Sequence, residues 1–287
     1  MRTALIFSPH ADDAAAFCGG TLAKFASEGW YVVLVRVTDD ARDSVGLSIE
    51  ETVRRNTEEL QLAAGILGVS EIVELGFPTD TLADVSAVAL RERFVYLIRK
   101  YHPYAVFTFD PFGTHDGNLD HVRVAQAVEE AFWVSCFDLH HPEHFKEGLQ
   151  PFSVYERWYF GRPVSSPNHA EDITEHFSKR VAALAAHRTM MQNLINQLRL
   201  QLRTSGRRAA VLDEAMSGDP TPLLTGVLHA QASAAAQAHG LGEDRLGEVF
   251  RVVRFGDMDD FFDQISEPVS ESNSQIDATA GDIAHLN

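Results

Sequence analysis

The sequence predicts an α/β fold, in which a parallel sheet carries helices on both faces and an irregular, α-rich C-terminal half follows. Short apolar runs alternate with amphipathic segments along the first half of the chain. The run at residues 31–37, YVVLVRV, is rich in β-branched residues, which favour strands. Helical periodicity stops at a glycine or a proline, at Gly68 and Pro103. A β-α-β-α order implies parallel strands with right-handed crossovers, which is a Rossmann-like arrangement.

The individual elements follow from hydrophobic periodicity and from turn residues. In the first half, strands are expected at residues 4–7, 31–37, 71–75 and 105–109. Helices are expected between them and after them, at residues 20–28, 50–67, 85–101 and 120–133. The second half is less regular, with a strand at 153–160, a long helix at 175–203, a helix-prone segment at 209–241 and a late strand at 248–255.

The chain is expected to form one domain that spans residues 1–266. Its catalytic sheet covers about residues 1–190, and a C-terminal helical extension covers about residues 191–266. Residues 267–287 are rich in Ser, Asp and Asn, which predicts a disordered tail.

Composition excludes several classes of protein. The 41 acidic and 24 basic residues give a formal net charge of -17, and this field repels a phosphate backbone, so no nucleic acid is expected as a partner. The two cysteines, Cys18 and Cys136, make neither a disulfide framework nor a cysteine zinc site. No run approaches the ~18 apolar residues of a membrane span, and no signal peptide is apparent, so the expected location is cytoplasmic.

A first polar cluster follows the first predicted strand. It contains His10, Asp12 and Asp13, and in open α/β sheets ligands bind outside the carboxyl ends of the strands. An imidazole and a carboxylate three residues apart can bind one metal ion from a loop, which leaves the neighbouring carboxylate free to act as a base. The alternative is a solvated acidic loop without chemistry, because H-x-x-D is a short pattern.

A second polar cluster favours the metal site over the solvated loop. Residues 110–121 follow the fourth strand, and His121 stands at the start of the next helix. Clusters at two strand ends of one sheet edge can converge on one point. Two histidines and one aspartate leave a coordination position open for water, which is typical of catalytic rather than structural zinc.

The motif Pro9-His10-Ala11-Asp12-Asp13 resembles the P-H-x-D-D motif of the LmbE/PIG-L family of zinc-dependent N-deacetylases. The resemblance implies that His10, Asp13 and His121 bind the metal, with His121 in the Asp120-His121 pair as the third ligand, and that Asp12 is the general base. It extends from the first strand to about residue 188, and the segment Asp172-Ile173-Thr174 is similar to the family's C-terminal pattern.

The resemblance implies a hydrolase that removes an acetyl group from an N-acetylated amino sugar, with a zinc-bound water as nucleophile. Other divalent metals also suit two histidines and one aspartate. Two alternatives stay open: an amidase acting on a larger N-acyl or thiol-conjugate substrate, and a non-catalytic sugar- or nucleotide-binding module of the same fold. The partner is a small molecule, and a homo-oligomer is compatible with the family.

The sequence departs from the family pattern at the residue that helps to stabilise the oxyanion. Relatives commonly have a histidine three residues before the third ligand, whereas this chain has Asn118. An amide still donates a hydrogen bond, and His115 or His187 is a further candidate for this role.

Substrate contacts are expected from Arg55, Asp80 and His187. The family's arginine spacing is disturbed here, because the alignment puts Asn56 rather than Arg55 at the arginine position. Arg55 and Glu59 are four residues apart, so an ion pair on the helix surface is the alternative for that arginine.

Overall fold

A seven-stranded sheet forms the centre of the fold. The computed structural model describes residues 1–113 and 116–269. The strands are β1 (Thr3–Ser8), β2 (Tyr31–Thr38), β3 (Glu71–Phe77), β4 (Ala105–Phe109), β5 (Glu156–Phe160), β6 (His169–Asp172) and β7 (Gly247–Val253). Their order is β3-β2-β1-β4-β5-β7-β6, and the pairs among β1 to β5 are parallel whereas β6 and β7 are antiparallel. The predicted α/β class is confirmed.

Helices cover both faces of the sheet. They are α1 (Asp13–Ser27), α2 (Ile49–Leu67), α3 (Ala87–Tyr101), α4 (Leu119–Val134), α5 (Phe177–Ala186), α6 (Arg188–Thr204), α7 (Ala210–Ser217), α8 (Thr221–Ala238) and α9 (Asp259–Ile265). Ile6 of β1 belongs to the same core as Leu22 of α1, whereas the ring of its neighbour Phe7 lies 4.6 Å from that of Phe94 in α3. Successive strand residues point to opposite faces, so the two contacts lie on opposite sides.

Several element boundaries differ from the sequence-based expectation. Helix α1 begins at Asp13 rather than at residue 20, so the polar motif runs directly into the helix. The predicted long helix is two helices, α5 and α6, which are separated at His187. The carboxylate of Glu59 accepts hydrogen bonds from the backbone N and the Oγ1 of Thr189, both at 2.8 Å, and these bonds fix the start of the second helix. Strand β6 was not expected, because its sequence, HAED, is polar.

The chain divides into two compact units, Met1–Val252 and Val253–Asn287. Strand β7 joins the sheet, so the sheet is not confined to the first 190 residues. Within the second unit, α9 is the helix that the structure describes. Of the predicted tail, residues 270–287 lie outside the described residues. Among the helices of the described ranges, none has the length and apolar character that a membrane crossing requires.

The close approach of α1 to the segment after β6 gives a test of the packing. A Cβ added at Gly20 would lie 2.8 Å from the Cβ of Ile173, which is completely buried. We expect Gly20→Ala to lower the free energy of unfolding by about 1–3 kcal/mol, because the overpacked core must shift. Gly65→Ala is the matched control: Gly65 is helical with nothing within 4 Å of an added Cβ, so the change should stabilise by up to about 1 kcal/mol. Urea unfolding measures both, and equal stabilities for the two variants would contradict the packing argument.

Candidate active site

Three loops at one edge of the sheet supply the polar residues of the candidate site. They follow β1, β4 and β5, which are adjacent and parallel, so their carboxyl ends lie side by side. The first of them, the loop between β1 and α1, is held by backbone contacts. Ser8 Oγ donates to the carbonyl of His10 at 2.7 Å and accepts from Ala14 N at 3.2 Å, while Thr38 Oγ1 donates to the carbonyl of Pro9 at 2.9 Å. This network fixes the direction of the loop before any ligand binds.

The structure brings His10, Asp13 and His121 together, and all three are buried. Nδ1 of His10 lies 3.2 Å from Nε2 of His121. One carboxylate oxygen of Asp13 lies 3.3 Å from His10 Nδ1, and the other lies 3.4 Å from His121 Nε2. For a tetrahedral ion with ligand distances of 2.0–2.1 Å, ligand atoms stand about 3.3–3.4 Å apart. One ligand atom from each of the three side chains lies within 4.8 Å of the other two, so the cluster can hold a small divalent cation.

In each histidine, the ring nitrogen that does not face the other histidine lies near a carboxylate. His121 Nδ1 pairs with Asp116 Oδ2 at 2.7 Å, and His10 Nε2 lies 3.4 Å from Asp120 Oδ2. Asp120 also accepts hydrogen bonds from the backbone N of Asp80 and of Leu82, so it joins the loop after β3 to the site. Carboxylates in this position orient the imidazoles of metal sites and raise their basicity. Sequence reasoning did not give Asp116 and Asp120 this role, although an aspartate next to or near a ligand histidine is a usable signal.

Burial and neighbouring charges shift the pKa values of the histidines and carboxylates in this cluster. Burial lowers the pKa of His121, but the carboxylates of Asp13 and Asp116 outweigh burial and raise this pKa to about 9. Burial and the neighbouring charge of Asp13 raise the pKa of Asp12 to about 7. The carboxylate of Asp12 lines the cavity beside His10 and forms no hydrogen bond with a residue of the described ranges. A carboxylate with such a pKa can accept a proton near neutral pH.

Asn118 caps helix α4. Its side-chain oxygen accepts a hydrogen bond from Asp120 N at 2.9 Å, and Asn is among the preferred residues at this position. The side chain also lines the cavity that holds His10, Asp12 and His121, and its NH₂ group donates no hydrogen bond to a residue of the described ranges. His115 lies outside the described residues.

The residues expected to contact substrate lie in different environments. Arg55 is exposed and pairs with Glu51 at 2.6 Å, on the surface of α2, and it does not line the cavity. Asn56, at the family's arginine position, is buried and donates from Nδ2 to the carbonyl of Asp40 at 3.0 Å. Asp80 lines an adjacent cavity. His187 is completely buried, and burial lowers the pKa of its ring to about 4, so the ring is neutral.

The cavity over the metal-ligand cluster has a volume of about 420 Å³. Beyond the predicted residues, its wall contains Asp43, Arg162 and one side of helix α6. Arg162 follows β5 and is exposed, and it forms no hydrogen bond or ion pair within residues 1–113 and 116–269. Sequence reasoning missed it, although the strand-end rule that identified His10 applies equally to the residues after the predicted strand at 153–160.

The loop that carries Arg162 is attached to the loop after β4. The buried carboxylate of Asp110 accepts hydrogen bonds from Ser165 N at 2.6 Å and from Phe112 N at 3.0 Å, and it also pairs with Arg251 at 3.0 Å. Ser165 Oγ donates to the carbonyl of Phe112 at 2.8 Å. These bonds attach the loop that carries Arg162 to the loop after β4.

Comparisons with known proteins relate the first half of the chain to a family of de-N-acetylases. Residues 5–132 match the family model described as PIG-L, GlcNAc-PI de-N-acetylase. A diacetylchitobiose deacetylase of Thermococcus kodakarensis is 29% identical over 189 residues, which cover 65% of this chain and 69% of the relative. A probable N-acetyl-alpha-D-glucosaminyl L-malate deacetylase 2 of Bacillus cereus is 25% identical over 212 residues, which cover 70% of this chain and 90% of the relative.

Solved structures share the fold at lower identity. The N,N'-diacetylchitobiose deacetylase from Pyrococcus horikoshii has a TM-score of 0.70 at 23% identity, covering 92% of this chain and 86% of that one. GalB, a 4-carboxy-2-hydroxymuconate hydratase from Pseudomonas putida, has a TM-score of 0.65 at 16% identity, covering 94% of this chain and 100% of that one. Deacetylases and a hydratase thus share this architecture. The sequence match carries the assignment: residues 5–132 constitute a domain of the PIG-L (LmbE-like) family.

Proposed function

We propose that the protein is a zinc-dependent N-deacetylase that releases acetate from an N-acetylated amino sugar. One observation carries the proposal: the ligand atoms of His10, Asp13 and His121 converge to within 4.8 Å of one another, and Asp12 lies beside them in the same cavity, with a carboxylate that forms no hydrogen bond in the described ranges. Three protein ligands leave one position open, which is the pattern of catalytic zinc sites. The names of the two sequence relatives, both deacetylases of N-acetylglucosamine-type compounds, support the substrate class.

The chain's own residues divide the work of hydrolysis. A bound zinc ion supplies a polarised acyl carbonyl and a water of lowered pKa. Asp12 accepts the proton from the attacking water, because its carboxylate lines the cavity beside the metal ligands and forms no hydrogen bond in the described ranges. As the C–N bond breaks, the protonated Asp12 gives that proton to the leaving nitrogen, which departs as a neutral amine. The products are acetate and a free amine.

The negative charge that develops on the acyl oxygen needs a donor. The amide of Asn118 donates a hydrogen bond but carries no charge, and its oxygen is already used as the helix cap. Arg162 lines the same cavity, and its guanidinium is not neutralised by an ion pair within the described ranges. We therefore assign to Arg162 the cationic role that the family's histidine would otherwise have.

The direct test measures acetate and amine release from a panel of N-acetylated amino sugars. Activity should disappear with a chelator and return with Zn²⁺. A hydratase or a pure binding module would release no acetate from any of these compounds. Because the hydratase shares the fold, acetate release is the measurement that separates the two chemistries.

The assignment of the base predicts the behaviour of Asp12→Asn. The variant should bind Zn²⁺ stoichiometrically and lose about 10²–10⁴-fold in kcat, because the amide cannot accept the proton. Asp138→Asn, which changes an exposed aspartate in the segment after α4, serves as the control and should keep full activity. Zinc content by atomic absorption and initial rates check both variants. A fully active Asp12→Asn variant would remove Asp12 from the mechanism.

Metal binding should depend on pH. In the metal-free protein burial lowers the pKa of His10 and of His121, but the neighbouring carboxylates outweigh burial and raise both pKa values, so at pH 7 the cluster holds protons that must leave when the metal binds. The affinity for Zn²⁺ should therefore fall as the pH falls, by about tenfold per pH unit for each displaced proton. Competition with a chromophoric chelator at pH 6, 7 and 8 measures the slope. An affinity for Zn²⁺ that does not change with pH would contradict the displacement of protons by the metal.

Asp116→Asn removes the carboxylate paired with His121 and should weaken binding of Zn²⁺ by about 10–100-fold.

Removal of the guanidinium tests the role of Arg162. Arg162→Ala should lower kcat by about 10²-fold with a small change in KM, because the donor acts on charge that exists only in the transition state. Added guanidinium ion should restore part of kcat. Arg123→Ala is the control, because Arg123 is exposed on α4 and does not line the cavity. A rise in KM at unchanged kcat would instead make Arg162 a ground-state contact.

A further inference from the structure

Helix α6 presents three amide side chains to the candidate active site. Asn193, Asn196 and Gln197 line the cavity that contains His10, Asp12 and His121. Their spacing of three and four residues puts them on one face of the helix. None of the three side chains forms a hydrogen bond with another residue in the described part of the chain. The sequence analysis gave no role to this region.

The position of this face is fixed by contacts elsewhere on the helix. Glu59 of α2 binds both the backbone N and the hydroxyl of Thr189 at the start of α6. Near the other end, Arg199 Nε donates to Asp213 of α7 at 2.7 Å. Ile195, on the side away from the cavity, is buried. The amides are therefore held in place by a supported helix, with their polar groups left free.

The chemistry of the face indicates what it binds. An amide side chain offers two N–H donors and an acceptor oxygen, and a hydroxyl group can pair with either. Leu194 and Leu200 are exposed in the same cavity wall, where they can cover the carbon–hydrogen surface of a ring. The cavity-lining residues of α6 carry no charge, and they are Met190, Asn193, Leu194, Asn196, Gln197 and Leu200. This composition suits an uncharged ring with many hydroxyl groups.

The space available extends beyond the metal ligands. Asn118, Arg162 and Gln197 line the cavity over the metal site and also a second cavity, of about 590 Å³, which reaches Asp80. The two cavities therefore lie next to each other and share part of their wall. Ligand pockets of about 300–1,000 Å³ enclose most of a ligand of drug size. These cavities therefore have room for more than the acetamido group and the sugar ring that carries it.

We propose that Asn193, Asn196 and Gln197 form a subsite for an uncharged, hydroxyl-rich sugar unit joined to the unit that is deacetylated. The subsite rests on the proposed deacetylase function and determines the specificity of that reaction. We therefore expect the three amides to contact only the second sugar unit of the substrate. A monosaccharide substrate should not contact them.

The test compares two substrates, N-acetylglucosamine and N,N'-diacetylchitobiose, with the metal-loaded enzyme. In the triple variant Asn193→Ala, Asn196→Ala and Gln197→Ala, kcat/KM for the disaccharide should fall about 10–100-fold through KM, as expected for three lost hydrogen bonds. For the monosaccharide it should change less than about twofold. The control changes two amides of the same helix that do not line the cavity, Gln192→Ala and Gln201→Ala, and should leave both substrates unaffected.

Several outcomes would overturn the subsite. Equal losses for both substrates, or no loss for either, would remove it, and so would a wild-type preference for an N-acetylglucosaminyl malate over the uncharged disaccharide. Calorimetric binding of diacetylchitobiose to the Asp12→Asn protein keeps the subsite testable without turnover. If wild-type enzyme releases no acetate but the triple change still abolishes this binding, the subsite stands and the deacetylase function fails. If the disaccharide does not bind at all, the subsite fails.

Discussion

The buried negative charge around His10 and His121 is the constraint on which the site depends. Carboxylates from the three segments that follow β1, β2 and β4 surround the two rings, and they are Asp12, Asp13, Asp40, Asp43, Asp116 and Asp120. Buried carboxylates of one sign repel each other unless protons or cations balance them. Arg36 supplies a buried cation 3.4 Å from Asp40, and burial raises the pKa of Asp40 to about 8. A divalent cation between His10, Asp13 and His121 would balance the remainder.

Asp120 and two further carboxylates, Asp39 and Asp110, hold the loops of the site together. Asp39 accepts hydrogen bonds from Ala41 N and from the backbone and hydroxyl of Thr79, and Asp120 accepts from the loop after β3. Asp110 does the same for the loop that carries Arg162. Segments distant in sequence are thus joined by hydrogen bonds from backbone N–H groups to charged carboxylates. Such hydrogen bonds are stronger than those between two neutral groups. The acidic residues that dominate the composition have a structural use at this edge of the sheet.

Much of the fold and of the metal cluster could be predicted because the signals are local. The buried strands are apolar, Gly68 ends α2 in a left-handed conformation, and the H-x-x-D loop follows β1 directly. The rest depends on contacts between distant residues. The break at His187 requires Glu59, 128 positions earlier in the chain, and the polar strand β6 forms only beside β7. The surroundings of Arg162 and the amides of α6 likewise follow from tertiary packing, which sequence periodicity does not record.

The separation of α6 from α5 has an evolutionary consequence. Because α6 has its own starting contact at Glu59 and its own tie to α7, its cavity face is independent of the chain segments that carry His10 and His121. Substitutions at positions 193, 196 and 197 can therefore accumulate without disturbing the metal ligands or the core. Such a helix can diversify under selection for new substrates while the hydrolytic machinery stays constant, in the way that one scaffold supports many enzymes.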